Sequence, residues 1–205
     1  MGLLFLLTGL IGCQYYEEYR NISSGYRVVK SDVVLPASAS DAGPLPLVVG
    51  VKVVGQTLSG GFSDMGPTFA SRLASVGLFK TVLNPVKSED KPDLLIEVNF
   101  SGKHVKDSSS FAKGFFTGIF LFFPAPAVEY EDRYISAAAV TITKGGRSLK
   151  SYSAGADVVV ESKLMAPDAD IQKEGVAAST KSLVDRIVAQ LYNDRSYFAS
   201  LRGGS

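Results

Sequence analysis

His104 is the only histidine and Cys13 the only cysteine in this 205-residue chain. One thiol cannot form an intrachain disulfide. With one imidazole and one thiol, no zinc site of the usual ligand types can be assembled. No Ser-His-Asp or Cys-His arrangement is expected. His104 stands between Lys103 and Val105 near the end of an alternating segment, where a lone histidine reads as a surface or packing residue. The carboxylates of "EYEDR" (129–133) and "DAD" (168–170) could face a cation. The first reads better as a solvated loop and the second as a helix cap. "SGGFS" (59–63) precedes a helix whose amino terminus could hold an anion. It lacks the lysine of a phosphate-binding loop and reads as a plain turn. The expectation is a protein that is not an enzyme and uses no cofactor and no metal. Lys plus Arg (21) and Asp plus Glu (20) nearly cancel, so nothing argues for a nucleic-acid partner.

The chemistry that remains is attachment. Residues 1–12 have the length and polarity of the apolar region of a signal peptide, and are too short for the ~20 apolar residues of a bilayer span. "LIGC" (Leu10, Ile11, Gly12, Cys13) resembles the lipobox of bacterial lipoproteins. The resemblance implies recognition of Leu10, Ile11 and Gly12 by the signal peptidase and cleavage before Cys13. It further implies diacylglycerol on the sulfur and an acyl chain, such as palmitate, on the new amine. Gln14, where Asp would favour inner-membrane retention, implies the periplasmic side of the outer membrane. Each buried methylene of such an anchor contributes about 0.8 kcal/mol.

Residues 13–45 then read as the lipidated cysteine and a flexible tether, with "PASASDAGPLP" (36–46) of linker composition. "YRVVKSDVVL" alternates enough for a short strand docked on the domain edge. Residues 46–198 are one globular domain, and 199–205 a disordered tail. In the domain, the valine-rich run 44–55 reads as a buried strand ended by Gly55. Ser63 or Asp64 caps a helix with Pro67 in its first turn, Phe69, Leu73 and Val76 on one face, and Gly77 at its end. A short strand at 80–83 follows. Ile96, Val98 and Phe100 alternate with Glu97 and Asn99 on a half-buried strand. Residues 133–160 form a hairpin turning at Gly145–Gly146. A closing helix starts at Asp168 or Asp170 and carries Val176, Leu183, Val184, Ile187, Val188 and Leu191 as an apolar stripe. The fold class is α/β (α+β): a mixed sheet of about four to five strands with two main helices on one face.

The strand at 47–54, "FASRLASVGLFKTVLNP", the acidic lead-in "KPDLLIEVNF", a hairpin and a closing helix together look like one small α/β domain. It is the type shared by the amino-terminal domain of TolB, the lipoprotein CsgG and the lipoprotein PelC. That resemblance implies an envelope protein that docks to, assembles with or scaffolds others. Unlike CsgG, this chain has one apolar insert instead of two paired membrane hairpins, which argues against a channel.

The insert, 111–127, holds six of the twelve phenylalanines. Phe111, Phe115, Phe116, Ile119, Phe120, Leu121, Phe122 and Phe123 could seal the core, rest on the membrane beside the anchor, or contact a partner or a second copy through 111–126. The expected function is a lipid-anchored envelope protein with a non-enzymatic binding or scaffold role. The alternatives are a ring-forming subunit of an export or secretion apparatus and a carrier of a lipid or other apolar ligand.

Overall fold

A computed structural model describes residues 15–18, 26–31, 43–106, 129–163 and 168–201. They build a seven-stranded mixed sheet with helices over one face. The strands are β1 (Tyr15–Glu18), β2 (Tyr26–Ser31), β3 (Leu45–Leu58), β4 (Phe79–Leu83), β5 (Leu94–Val105), β6 (Glu129–Lys144) and β7 (Arg147–Lys163). Their order across the sheet is β1-β2-β7-β6-β5-β3-β4. β3 runs parallel to both β4 and β5, and the remaining pairs are antiparallel. The helices are α1 (Gly66–Ser75), α2 (Asp168–Asn193) and α3 (Arg195–Ser200). None of the described helices is long and apolar enough to cross a membrane.

The five strands from β3 to β7 and the two main helices match the expected fold class. Ile96, Val98 and Phe100 of β5 lie beside Ala138, Val140 and Ile142 of β6 on the helix-covered face. Phe69 and Leu73 of α1, Val76 just past its end, and Leu183, Val184, Ile187, Val188 and Leu191 of α2 are buried on that face. Phe69 meets Phe100 edge to face with centroids 6.1 Å apart. The reverse face carries Asn99, Ser101, Ala137, Ala139 and Ser153, all exposed. Gly77 is left-handed at φ +64°, and Gly145 and Gly146 take the two positive φ values of a tight hairpin.

Several boundaries differ from expectation. β3 does not stop at Gly55 but continues to Leu58 through a register shift between Val53 and Gly55. The glycine marks a bulge, which re-aims the next side chain. Gln56 consequently faces the helices, where its Nε2 donates to Asp64 Oδ1 at 2.7 Å. Met65, and not Ser63 or Asp64, occupies the cap position of α1, although Asp64 Oδ1 accepts the Gly66 N–H at 2.9 Å. "EYEDR" is not a solvated loop. It is the first part of β6, because its backbone is paired residue for residue with Glu161–Lys163 and beyond on β7. α2 begins at Asp168, so Asp170 lies inside its first turn.

Within the expected tether, residues 15–18 and 26–31 are strands that extend the sheet from β7, β2 matching the docked strand expected there. α3 runs to Ser200, two residues into the expected tail. It is fixed by Phe198, which is buried edge to face against Phe79 with centroids 5.3 Å apart.

α2 approaches the sheet closely at one point. A Cβ on Gly175 would lie 2.2 Å from Cε2 of Tyr134 on β6. Gly175→Ala therefore forces the helix off a fully buried ring and should cost about 1–3 kcal/mol, as overpacking does. Gly155→Ala on the open face, whose added Cβ would meet only a carbonyl at 3.7 Å, should be within about 0.5 kcal/mol of the parent. Urea unfolding of the two variants checks both.

Candidate functional site

α1 and α2 lie side by side over the sheet and leave a cleft of about 680 Å³ between them. On α1 the cleft is lined by Thr68 and Arg72, one turn apart. On α2 it is lined by residues recurring at helical spacing: Gln172 and Lys173, Val176 and Ala177, Thr180 and Lys181, Val184 and Asp185. Alanines and threonines at the facing positions are too small to fill the groove that larger side chains would close. Val176, Ala177 and Val184 supply apolar wall. Gly61 lies in the lining against Gln172, where an added Cβ would fall 2.7 Å from Gln172 Nε2.

The charge in the cleft is organised around Asp185, which is 3% exposed. Arg72 Nε donates to its Oδ1 at 2.8 Å, and Lys181 Nζ donates to its Oδ2 at 2.7 Å. Both cations keep much of their surface in water, at 39% and 62% exposed. The carboxylate therefore joins α1 to α2 without burying the cations with it. Lys173 adds a third positive charge on the same wall. The result is an apolar groove with a cationic border.

His104 sits outside this cleft and is packed, one of the two placements expected of it. Its ring stacks on Tyr134, centroids 4.4 Å apart and planes 3° from parallel, and its Nε2 lies 3.2 Å from Asp132 Oδ2. Gly60, at φ +63°, passes directly over it, and a Cβ there would fall 2.3 Å from the His104 Cβ. "SGGFS" is the turn expected, tied to β5 by the Ser59 N–H donating to the Gly102 carbonyl at 2.9 Å.

A third polar group joins the far end of α2 to β7. Lys150 Nζ lies 2.6 Å from Asp194 Oδ2. The hydrogen bond from Lys150 holds the Asp194 carboxyl below the usual range. Burial, then Asp194, push the Tyr152 phenol up.

Cys13, with Leu10, Ile11 and Gly12, lies outside the described residues. So do Phe111, Phe115, Phe116, Ile119, Phe120, Leu121, Phe122 and Phe123. Of the cleft residues, Gly61 and Ser63 fall in "SGGFS" and Val176 and Val184 in the apolar stripe read from sequence, whereas Arg72, Lys173, Lys181 and Asp185 were not singled out. One signal was available: Asp185 interrupts an otherwise apolar stripe, "LVDRIVA", and a carboxylate there needs cationic partners.

No family model and no curated protein matches the chain. Solved structures are similar in fold. A homolog of neuraminyllactose-binding hemagglutinin from Helicobacter pylori is 10% identical, with a TM-score of 0.50 over 85% of this chain and 98% of that one. A minor lipoprotein from Acinetobacter baumannii is 8% identical, with a TM-score of 0.43 over 76% and 94%. PelC from Paraburkholderia phytofirmans, solved as a dodecamer, is 8% identical, with a TM-score of 0.32 over 78% and 96%.

Two outcomes follow from these ion pairs. Asp185→Asn removes the charge that joins α1 to α2. Because both cations can rehydrate, the cost should be about 1–2 kcal/mol in urea unfolding, below that of stranding a buried charge. Asp194, with its folded pKa depressed, stabilises the fold above its unfolded pKa, and that contribution is lost as pH falls through the folded value. The stability gap between the parent and Lys150→Met should therefore narrow as pH drops below about 3.9, followed by thermal melts across the acid range.

Proposed function

We propose that this chain is a lipid-anchored protein of the bacterial cell envelope with a non-enzymatic binding role. Its anchor is Cys13 and its place is the periplasmic side of the outer membrane. The domain is of the TolB amino-terminal, CsgG and PelC type. The observation that carries the binding role is the α1–α2 cleft: about 680 Å³, within the ~300–1,000 Å³ usual for ligand sites, apolar on its walls and cationic at its border. Its one carboxylate, Asp185, is bonded to Arg72 and Lys181 and is thereby engaged in structure. The lining has neither histidine nor cysteine, so its chemistry suits holding a molecule.

The anchor is supported by the "LIGC" run and by the position of the only thiol. Anchoring places the cleft beside a membrane surface and whatever lipids or proteins it presents. The residues Phe111, Phe115, Phe116 and 119–123 are the proposed contact with that membrane or with a partner, beside the anchor.

Metabolic labelling tests the anchor. Cells fed radiolabelled palmitate should label the parent chain and leave Cys13→Ser unlabelled, with that variant moving out of the membrane fraction. Label that persists in Cys13→Ser would place the lipid elsewhere and defeat the anchor.

A further inference from the structure

We infer that the α1–α2 cleft binds an anionic amphiphile, a molecule with one acidic headgroup and a short apolar body. This names the ligand class for the binding role proposed above and rests on it. The charge is decisive for the headgroup. Three cations, Arg72, Lys173 and Lys181, border the cleft against one carboxylate, Asp185, leaving a formal balance of three minus one, or +2. Arg72 meets Asp185 through Nε, and its Nη atoms bond no other described residue. Those two donors form the fork that suits a carboxylate or phosphate. Lys173 pairs with no described carboxylate, so its ammonium is available to the same oxygens.

The apolar body follows from the walls. Val176, Ala177 and Val184 present a surface with no hydrogen-bonding side chain, below the cationic border. A bare inorganic anion would leave that wall wet, and a neutral apolar molecule would leave the cations without a counter-charge. A ligand with both parts satisfies both regions. At about 680 Å³ the cleft has room for a short body and not for an extended chain.

The test uses the full lipidated chain in neutral phosphatidylcholine nanodiscs, with empty discs subtracted, and calorimetric titration of three probes. These are n-octyl phosphate, octyl glucoside and inorganic phosphate. Octyl phosphate should bind saturably and at least about tenfold more tightly than either of the others. Lys173→Glu, which changes the local charge by two at an exposed position, should weaken it about tenfold. Ala177→Phe, which fills the groove without changing charge, should abolish it. Unchanged thermal melts show that both variants fold. Octanoate in place of octyl phosphate tells a carboxylate preference from a phosphate one, and saturable binding of either supports the class. Octyl phosphate binding that neither variant alters would put the site elsewhere and overturn the inference. Equal binding of octyl phosphate and octyl glucoside, both lost in Ala177→Phe, would overturn the acidic headgroup and leave the cleft as a binding site. Binding of none of the probes would overturn both the ligand class and the binding role assigned to the cleft, while palmitate labelling of Cys13 would be unaffected.

Discussion

Asp185 is a charge buried in the middle of an apolar helix face, and the arrangement of the helices follows from having to satisfy it. A carboxylate that is 3% exposed is costly unless bonded, and its two oxygens are met by cations from different places. Lys181 comes from the previous turn of the same helix. Arg72 comes from the neighbouring helix, 113 residues earlier in the chain. This fixes α1 against α2 at one height and holds them beside each other with their small residues facing. The cleft is what remains. Apolar residues at that position could pack the two helices together, but they would leave neither the gap nor the positive border.

The sheet sets the other constraint. α2 reaches Tyr134 only because Gly175 has no side chain, and Ser136 and Ser179 hydrogen-bond across the same contact at 2.8 Å. Tyr134 in turn carries the stacked His104, over which Gly60 must pass. A single column thus links α2, β6, β5 and the turn that leads to α1. It explains why the only histidine, together with Asp132, belongs to packing. The wall of the cleft formed by Gly61 is positioned by this column, and its opposite wall by the Asp185 contacts.

Much of this was legible in the sequence, for identifiable reasons. Ile96, Val98 and Phe100 alternate cleanly because β5 is covered on one face only. The closing helix was legible because Leu183, Ile187 and Leu191 recur at its period. Gly145–Gly146 announced the hairpin because two adjacent glycines between alternating segments supply the two positive φ values of a tight turn. What escaped notice depended on partners far away in the chain. Gly55 looked like a stop because a bulge and a strand end use the same residue, and only the pairing with Asn99 tells them apart. "EYEDR" looked solvated because its strand character comes from the ladder with β7 and not from its own hydropathy. The cleft was hidden because its pieces, Arg72 on one helix and Lys173, Lys181 and Asp185 on another, have no common spacing. Asp185 in its apolar stripe, and "SGGFS" with Gly61 and Ser63 in the lining, carried a trace of it.

The central claim is that the gap between α1 and α2 is a place for a ligand and not a packing remainder. The most direct measurement places a photo-reactive amino acid at Thr180, in the cleft of the full chain, and for comparison at Ala139 on the open sheet face. After irradiation in the membrane, the intact protein is weighed. The account predicts a discrete adduct of a small acidic amphiphile at position 180, removed by Lys173→Glu, and no such adduct at 139. No adduct at 180, or the same adducts at both positions, would contradict it.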